Sequence, residues 1–428
     1  MREHNVIYPA EILLPEAKTD MEKWAVVACD QFTSQPEYWQ ETERLVGDAP
    51  STLRMILPEA YLEAPGVAEK TRRIHDVMQQ YRSQLLLRKI NGFVYIERDT
   101  GRPEKRAGLA AAIDLEDYSF EKGAKPLIRP SENTVVERIP PRLAVRKGGC
   151  LEAPHIMMLL DDASCSVIEP LAGYKNDMEL LYDTPLMQGG GSIRGWAVTE
   201  KALVEKLQAA LRELCSQEAF DRRYPAAAGQ PPIALAVGDG NHSLATAKAY
   251  WEEIKKELPQ EQRETHPARY CLVEIVNIHS PAIEVEPIHR VLFGAQLEET
   301  LAAAKQFFAE NGCGMDAGEG HRFVFCADED ESVLTVNAAK WPIATGTIEA
   351  FLTHYLAGHP DVRVDYIHGE DTVRRMAAKG AVGVVLPEIE KGDLFKGVVL
   401  GGVLPKKTFS MGHAEEKRYY MECRAITL

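Results

Sequence analysis

Residues 235–255 read LAVGDGNHSLATAKAYWEEIK and contain three patterns in succession. The apolar run at 233–237 predicts a buried strand. After it, apolar residues at helical spacing predict one buried face of a helix, namely Leu244, Ala247, Trp251, Ile254 and Leu258. Residues 238–243 therefore form a turn between a strand and a helix.

Strand and helix patterns continue on both sides of this unit. Apolar runs predict strands, among them 23–32, 92–101, 106–120, 153–162 and 396–405. Helical spacing predicts helices at 67–86, 199–220 with Thr199 as N-cap, 297–312, 343–358 and 370–380. Proline and arginine predict a loop at 125–146. Because strands and helices interleave without a strict βαβ order, we expect an α+β fold with mixed sheets and flanking helices.

Three segments are expected along the chain. They are an N-terminal α/β region at 1–105, a core at 106–300 that holds the 238–243 turn, and a C-terminal α+β region at 301–428. With 428 residues, the chain is long enough for two or three hydrophobic cores.

Composition limits the classes of partner. The 49 basic and 64 acidic residues give a formal net charge of −15, with no long basic run. Non-specific binding to nucleic acid or to an anionic membrane is therefore not expected. No signal-peptide pattern and no apolar run of bilayer length is found, so we expect a cytoplasmic protein. Eight cysteines without a CxxC pair are predicted to be buried thiols.

The 238–243 turn has two interpretations. Free N–H groups at the start of a helix favour negative charge, and glycine lets a phosphate approach the backbone. His242 would then donate a hydrogen bond, and Asp239 would bind a metal ion or a hydroxyl. The turn would hold the anion through Gly238, Gly240, Asn241 and Ser243. Alternatively, Asp239, Asn241 and Ser243 only form the turn and cap the helix. Neither a Walker loop nor GxGxxG is present.

The turn also carries a resemblance to a known family. The order strand, GDGNHSLATA (238–247), helix resembles the DGHHR signature of domain-of-unknown-function family 1015. That family is grouped with the ParB/sulfiredoxin-like fold, which includes free-serine kinases. The resemblance implies a ParB/sulfiredoxin-like core within 106–300. It also implies that the turn binds a nucleoside phosphate, ATP or ADP, together with Mg²⁺.

A second segment, IRPSENTVVERIPPR (128–142), resembles the RxHExT segment of the same family. Arg129, Glu132 and Thr134 stand at matching positions. By similarity to the free-serine kinases, the resemblance implies that Glu132 is the catalytic base. The alternative is that Glu132 pairs with Arg129 or Arg138.

Two further segments extend the resemblance over nearly the whole chain. EPIHRVLF (286–293) resembles LPTHRVV, with His289 and Arg290 at matching positions. GVLPKKTFSMG (402–412) resembles the terminal MPPKSTYFxPK, with Lys406 or Lys407 and Thr408 matching. Alternatively, His289 only packs, Arg290 pairs with Glu284 or Glu286, and the lysines are merely solvated.

The sequence departs from the DGHHR signature at two positions. Asn241 replaces a histidine and Ser243 replaces an arginine. The loss of an imidazole and a guanidinium weakens phosphate binding unless Lys406, Lys407 or Arg290 supplies another cation.

Other motifs give weaker signals. Asp30, after a predicted strand, corresponds roughly to the family's PYDV segment or forms an ordinary turn. QGGGSIRGW (188–196) is a lid with glycine hinges or a flexible loop, and Arg194 excludes a GxSxG elbow. The histidines, including His155 and His368, lack HxH or HExxH spacing, so no built-in transition-metal site is expected. Asp239 is the candidate ligand for Mg²⁺.

By similarity to the free-serine kinases, the resemblance implies a phosphotransferase that uses a nucleotide and Mg²⁺ to phosphorylate a hydroxyl of a small, serine-like metabolite. Glu132 would be the base, and Arg290 or Lys407 would balance the transition-state charge. The alternative is a non-catalytic regulator that binds a nucleotide or metabolite. The expected partners are a nucleotide and a small-molecule substrate, with no nucleic acid and no membrane, and self-association stays open. The acidic charge disfavours DNA binding.

Overall fold

The computed structural model describes residues 5–62, 64–315, 318–405 and 407–428. In chain order the described strands are β1 (Ala10–Leu14), β2 (Arg88–Asp99), β3 (Arg106–Asp114), β4 (Ile128–Pro130), β5 (Leu151–Glu152), β6 (Met157–Leu160), β7 (Leu180–Pro185), β8 (Ser192–Val198), β9 (Leu235–Asp239), β10 (Tyr270–Asn277), β11 (Val285–Phe293), β12 (His321–Ala327), β13 (Asp330–Val336), β14 (Arg363–His368), β15 (Val382–Val385), β16 (Phe409–Met411) and β17 (Arg424–Ala425).

The described α-helices are α1 (Met21–Trp24), α2 (Pro36–Val46), α3 (Val67–Gln84), α4 (Ile139–Arg146), α5 (Lys201–Leu214), α6 (Gln217–Arg223), α7 (Asn241–Glu257), α8 (Gln260–Arg263), α9 (Leu297–Glu310), α10 (Ala344–Gly358), α11 (Glu370–Ala377) and α12 (Lys391–Gly401). The chain divides into two compact units, Met1–Ile283 with His413–Leu428, and Glu284–Gly412. The predicted α+β class with mixed sheets is confirmed.

The first unit is built on a mixed sheet. Its strand order is β4-β9-β6-β10-β3-β2-β8-β7, and β1 pairs with β2. The pairs β4·β9 and β6·β10 are parallel, and the other neighbours are antiparallel. In a sheet with mixed pairing, strands that are far apart in the sequence can end at the same edge of the sheet.

Both faces of this sheet are covered, because side chains alternate along each strand. Phe93 and Tyr95 of β2 pack in one core with Leu244 and Trp251 of α7. Val94 and Ile96 point to the opposite face and pack in a second core with Trp24, Trp39 and Leu272. The apolar face predicted for α7 is thus buried against the sheet.

The second unit has an antiparallel sheet of order β13-β12-β15-β11-β14, with β16 pairing with β11. On one face Phe323 and Phe325 pack against α9 and α10 through Phe308 and Phe351. On the other face Val324 and its neighbours pack against α11.

The two units differ from the three predicted segments. Strands β2 and β3 are neighbours in one sheet on either side of residue 105, so the first unit continues across that position. The chain also returns to the first unit at His413. Sequence spacing did not reveal this return, since the closing strand β17 has two residues.

Four local predictions were wrong. Residues 139–146 form α4, because Pro140 and Pro141 fit the first turn of a helix, where an N–H needs no partner. Residues 391–401 form α12, whose apolar run buries Leu394, Phe395, Val398 and Val399 at helical spacing. Residues 25–28 are buried but form only a bridge, Val27 with Tyr419. The N-cap of α5 is Glu200 and not Thr199.

The remaining fold predictions concern cysteines, glycines and membrane spans. All eight cysteines are free, and only Cys29 and Cys165 are less than fully buried.

The glycines of QGGGS form the tight β7–β8 connection, where the Leu186 N–H donates to the Gly191 carbonyl over 2.8 Å. A Cβ at Gly191 would lie 2.0 Å from the carbonyl oxygen of Asp99, so this turn is packed against β2. Among the described residues, we find no helix with the length and apolarity needed to cross a bilayer.

Candidate functional site

Strands β4 and β9 lie side by side at the edge of the first-unit sheet. Their parallel register pairs Ile128 with Leu235 and Pro130 with Val237. Parallel neighbours end at the same edge of a sheet. The segment that follows β4 and carries Glu132 therefore leaves the sheet beside the 238–243 turn that follows β9.

The turn itself is short. Strand β9 ends at Asp239 and α7 begins at Asn241, so His242 and Ser243 lie in the first turn of the helix. Gly240 precedes the helix with a φ of +83°, in the left-handed region. A Cβ at this position would lie 3.1 Å from the Cα of Ile156. Glycine is therefore required both by the backbone angle and by the close neighbour.

The start of α7 has no side-chain cap among the described residues. The alternative in which Asp239, Asn241 and Ser243 cap the helix is therefore not what the structure shows. Asp239 instead accepts a hydrogen bond from the Gly240 N–H over 2.9 Å. Within the described part of the chain, the amides of this first helical turn have no side-chain partner, which is the condition for binding an anion at this point.

Two hydrogen bonds tie the turn to the segment with Glu132. The Asn241 amide donates from Nδ2 to Oγ of Ser131 over 3.3 Å. The Val135 N–H donates to Nε2 of His242, also over 3.3 Å. Glu132, half-buried, lies between these two anchor points in the sequence.

The side-chain carbonyl oxygen of Asn241, Oδ1, is in a different situation from its Nδ2 group. This oxygen is buried and has no hydrogen-bond partner among the described residues. A buried carbonyl oxygen without a donor costs free energy. A donor on a bound molecule would remove that cost, so this atom is consistent with a ligand at the start of α7.

His242 is a neutral imidazole. Burial, and to a smaller extent the charges of Arg142 and Arg138, lower the pKa of His242 to about 4. Because Nε2 accepts the Val135 N–H, the ring proton of the neutral form sits on Nδ1. His242 can therefore donate a hydrogen bond through Nδ1 without carrying charge.

Asp239 has a counter-ion that the sequence patterns did not reveal. The Lys417 Nζ lies 3.2 Å from Oδ2 of Asp239. Within the described part of the chain, no three metal-ligating side chains of the His, Cys, Asp or Glu type converge. A lone carboxylate already paired with lysine does not form a site for Mg²⁺ by itself.

The hydroxyl of Ser243 joins a chain of polar side chains. Its Oγ lies 3.0 Å from Nε2 of His155, and Nδ1 of His155 lies 2.8 Å from Oη of Tyr420. The Cys29 N–H donates to that same Oη over 3.1 Å. The Asp30 carboxylate lies 3.7 Å from His155 Nε2. Spacing gave no signal for His155 or Tyr420, because these residues are distant along the chain.

A cavity of about 160 Å³ adjoins this polar chain. Ser243, His155 and Tyr420 line one part of it. Most of the remaining wall is apolar and includes Met55, Leu57, Met78, Val145, Leu151 and Leu272. The cavity thus reaches the first turn of α7 at Ser243, whereas His242 is not part of its lining.

Arg129 and Thr134 are the other two residues of the Glu132 segment that match the RxHExT segment of the family. The buried guanidinium of Arg129 donates to the carbonyl oxygens of Pro126, Pro231 and Pro232 over 3.0, 2.7 and 3.3 Å. These bonds fix the loop before β9. The Oγ1 of Thr134 is buried and has no hydrogen-bond partner among the described residues.

The remaining candidates lie in the second unit. Arg290 is fully buried, and its Nε donates to Glu349 over 2.8 Å, so its partner is neither Glu284 nor Glu286 as the alternative had it. His289 accepts the Leu386 N–H at Nδ1 over 3.1 Å, and burial lowers the pKa of His289 to about 4.

The segment 402–412, called the lysine loop because it contains Lys406 and Lys407, belongs to this second unit as well. Thr408 is buried and donates to the Pro405 carbonyl over 2.6 Å. Lys407 is exposed with a φ of +57°. Lys406 lies outside the described residues. Within the first unit, the structure brings together the segments of Glu132, Asp239 and His242. His289, Arg290, Lys407 and Thr408 belong to the second unit.

Comparison with known proteins defines the family. The family model described as "Protein of unknown function (DUF1015)" matches residues 7–355. The chain belongs to this family. The match includes the Glu132 segment, the 238–243 turn and His289 with Arg290, and it ends before the lysine loop at 402–412. A search of curated proteins found no match.

Solved structures show weaker likenesses. A mutant free serine kinase in complex with ADP matches with a TM-score of 0.38 and 10% identity, covering 74% of this chain and 92% of that chain. A conserved hypothetical protein from Pyrococcus furiosus matches with a TM-score of 0.34 and 8% identity, covering 74% and 95%. Truncated SbnI from Staphylococcus aureus matches with a TM-score of 0.35 and 9% identity, covering 71% and 82%. At these low TM-scores, the likenesses support no conclusion about this chain's activity.

Proposed function

We propose that the first unit binds the phosphates of ADP or ATP at the start of α7 and transfers a phosphoryl group to the hydroxyl of a small molecule. One observation carries this proposal. The parallel pairing of β4 and β9 brings the Glu132 segment beside an uncapped helix N-terminus, and two hydrogen bonds hold them together. This arrangement would place the proposed base beside the proposed anion site.

The phosphate would be held by neutral donors and nearby cations. The donors are the first amides of α7 and the Nδ1–H of His242. Lys417, beside Asp239, and Arg138, close enough to His242 to lower its pKa, supply positive charge in place of the signature arginine. Arg290 pairs with Glu349 in the second unit, so its charge is already balanced there.

Glu132 would accept the proton of the acceptor hydroxyl. The acceptor oxygen then forms a bond to the terminal phosphorus, and the bond from that phosphorus to its bridging oxygen breaks, so that the nucleotide leaves one phosphate shorter. Transition-state charge on the phosphoryl oxygens would be stabilised by the amides of α7 and by Lys417. No step is assigned to Mg²⁺, since the donor set around Asp239 does not fit the ion.

One observation favours a second candidate, a non-catalytic binder of nucleotides or metabolites. The Lys417 ion pair occupies the carboxylate of Asp239, which would otherwise orient a metal ion or the acceptor hydroxyl. Such a protein would bind the nucleotide with the same amides but would not transfer phosphate.

Calorimetric titration with ADP and ATP, with and without Mg²⁺, tests the binding step. We expect ADP binding that weakens by at least about tenfold in Lys417→Met, because a charge-assisted contact is lost. Lys379→Met, at an exposed lysine of the second unit, is the matched control. Absence of binding by both nucleotides would contradict the proposal.

Transfer is measured separately, with labelled ATP and a panel of hydroxyl compounds that includes serine. Product formation supports the phosphotransferase. Nucleotide binding without any transfer, to water or to a panel member, would instead select the non-catalytic binder.

A further inference from the structure

The cavity beside His155 shares the first turn of α7 with the proposed phosphate site. Ser243 and Thr246 of α7 both line it. Ser243 lies two residues after Asn241, the first residue of the helix, and two residues advance a helix by about 3 Å. A molecule in the cavity that contacts Ser243 therefore lies within one helical turn of the amides that would hold the phosphate.

The walls of the cavity suit an uncharged molecule. Its lining is mainly apolar, and its charged residues are paired with one another. Arg142 pairs with Glu59, and Arg146 pairs with Glu152 over 2.6 Å. A charged ligand would need one of these partially buried pairs to open, which is costly. Free serine, with an ammonium and a carboxylate, is therefore a poor fit.

The cavity has one polar corner, where Ser243, His155 and Tyr420 are linked by hydrogen bonds. A single hydroxyl at this corner can donate to or accept from Ser243 Oγ. In size, the volume of about 160 Å³ is close to that of an apolar cavity of about 150 Å³ that accommodates benzene. An aromatic or aliphatic body of that scale with one hydroxyl matches both the walls and the corner.

We infer that this cavity is a binding site for a neutral, mainly apolar alcohol, and that this alcohol is the acceptor of the phosphoryl group. The acceptor role rests on the proposed function. The binding role does not, because the cavity and its polar corner are formed by the first unit without any nucleotide.

Binding is tested with benzyl alcohol and with toluene, by ligand-observed NMR on the full-length protein without nucleotide. Ala153 lines the cavity, so Ala153→Leu fills part of it. We expect this variant to weaken benzyl alcohol binding by about tenfold or more, since the added side chain occupies the space of the ring. Ala68→Leu, at an exposed position of α3, is the control and should change affinity by less than about twofold.

The polar corner is tested with Ser243→Ala. We expect about a fivefold loss of benzyl alcohol affinity and no change for toluene, because only the alcohol bonds to Oγ. Three results would overturn the site: no binding of either probe, equal binding by Ala153→Leu and the wild type, or equal losses for both probes in Ser243→Ala.

The acceptor role is tested by supplying ATP with either benzyl alcohol or serine. Phosphorylated benzyl alcohol supports the assignment, whereas transfer to serine alone overturns it. If benzyl alcohol binds and neither ATP nor ADP binds, the proposed function fails and the cavity site stands. If nucleotide binds and benzyl alcohol does not, the inference fails and the proposed function stands.

Discussion

The backbone N–H of Val135 donates a hydrogen bond to Nε2 of His242, 107 residues further along the chain. This bond fixes the tautomer of the imidazole and at the same time ties the Glu132 segment to the first turn of α7. Because Val135 follows the short edge strand β4, and His242 follows β9, the bond closes the edge where the two parallel strands end. The candidate base and the candidate anion site are thus held by the same contact.

The role of Glu132 can be separated from nucleotide binding. In Glu132→Gln we expect phosphoryl transfer to fall by about 10² or more, since general base catalysis contributes on that order. ADP affinity should stay within about twofold, because the amides of α7 are unchanged. Turnover with labelled ATP and titration with ADP give the two readings.

Glu137→Gln is the matched control for this substitution. Glu137 is exposed in the short 3₁₀ turn Val136–Arg138, a few residues from Glu132 in the same loop. It should leave turnover within about twofold of the wild type. Equal turnover in Glu132→Gln and the wild type would remove Glu132 from the reaction.

Gly240 offers a test of the turn geometry through stability. Gly240→Ala should lower the free energy of unfolding by about 2 to 5 kcal/mol, because a left-handed φ costs about 1 to 2 kcal/mol and crowding against Ile156 adds to it. Gly123→Ala, with a φ of +84° and no atom of the described residues within 4 Å of the added Cβ, should show only the conformational cost. Denaturant unfolding of both variants checks this, and equal losses would argue against the close contact with Ile156.

Local patterns predicted much of the fold, since strand and helix periodicities are short-range. The unit from β9 to α7 was predicted because apolar residues change from continuous to helical spacing there. Where one pattern fits two structures, prediction failed. Val398 and Val399 belong to an apolar run that reads as a strand yet also fits the buried face of α12. Pro140 and Pro141 read as loop residues yet fit the start of α4.

Only part of the candidate site could be predicted from the sequence. The 238–243 turn could be predicted from glycine content and from the resemblance to the family. Its contact with the Glu132 segment depends on the pairing of β4 with β9, which no local pattern encodes. Lys417 and Tyr420 come from the chain end that returns to the first unit, and His155 lies two residues before β6, so their convergence follows from topology alone.

Arg290 is expected to stabilise the second unit. Its buried guanidinium contacts Glu349 and stacks over Tyr366 with 4.9 Å to the ring centroid. Glu349→Ala leaves that charge uncompensated, so the free energy of unfolding should fall by about 3 kcal/mol. Glu329→Ala, at an exposed position of the same unit, should change it by less than about 0.5 kcal/mol. Similar unfolding curves for both variants would contradict a structural role for the pair.

His242 makes stability depend on pH in a definite direction. Burial lowers its pKa from 6.5 to about 4 in the folded protein, whereas the unfolded chain keeps the ordinary value. Between these two values the unfolded state binds more protons, so this contribution to stability is present above pH 6.5 and is lost as the pH falls towards 4. Partial exposure of the ring reduces the effect at about pH 5 to about 1 kcal/mol.

The comparison is between the wild type and His242→Gln, whose side chain does not titrate. The free energy of unfolding of the variant should fall by about 1 kcal/mol less than that of the wild type between about pH 7 and about pH 5. His289→Gln reports the corresponding effect in the second unit, where burial also lowers the histidine pKa to about 4. Direct titration of the His242 ring by NMR gives an independent value. A midpoint near 6.5, or a pH dependence unchanged by His242→Gln, would show that the imidazole is not held neutral by its surroundings.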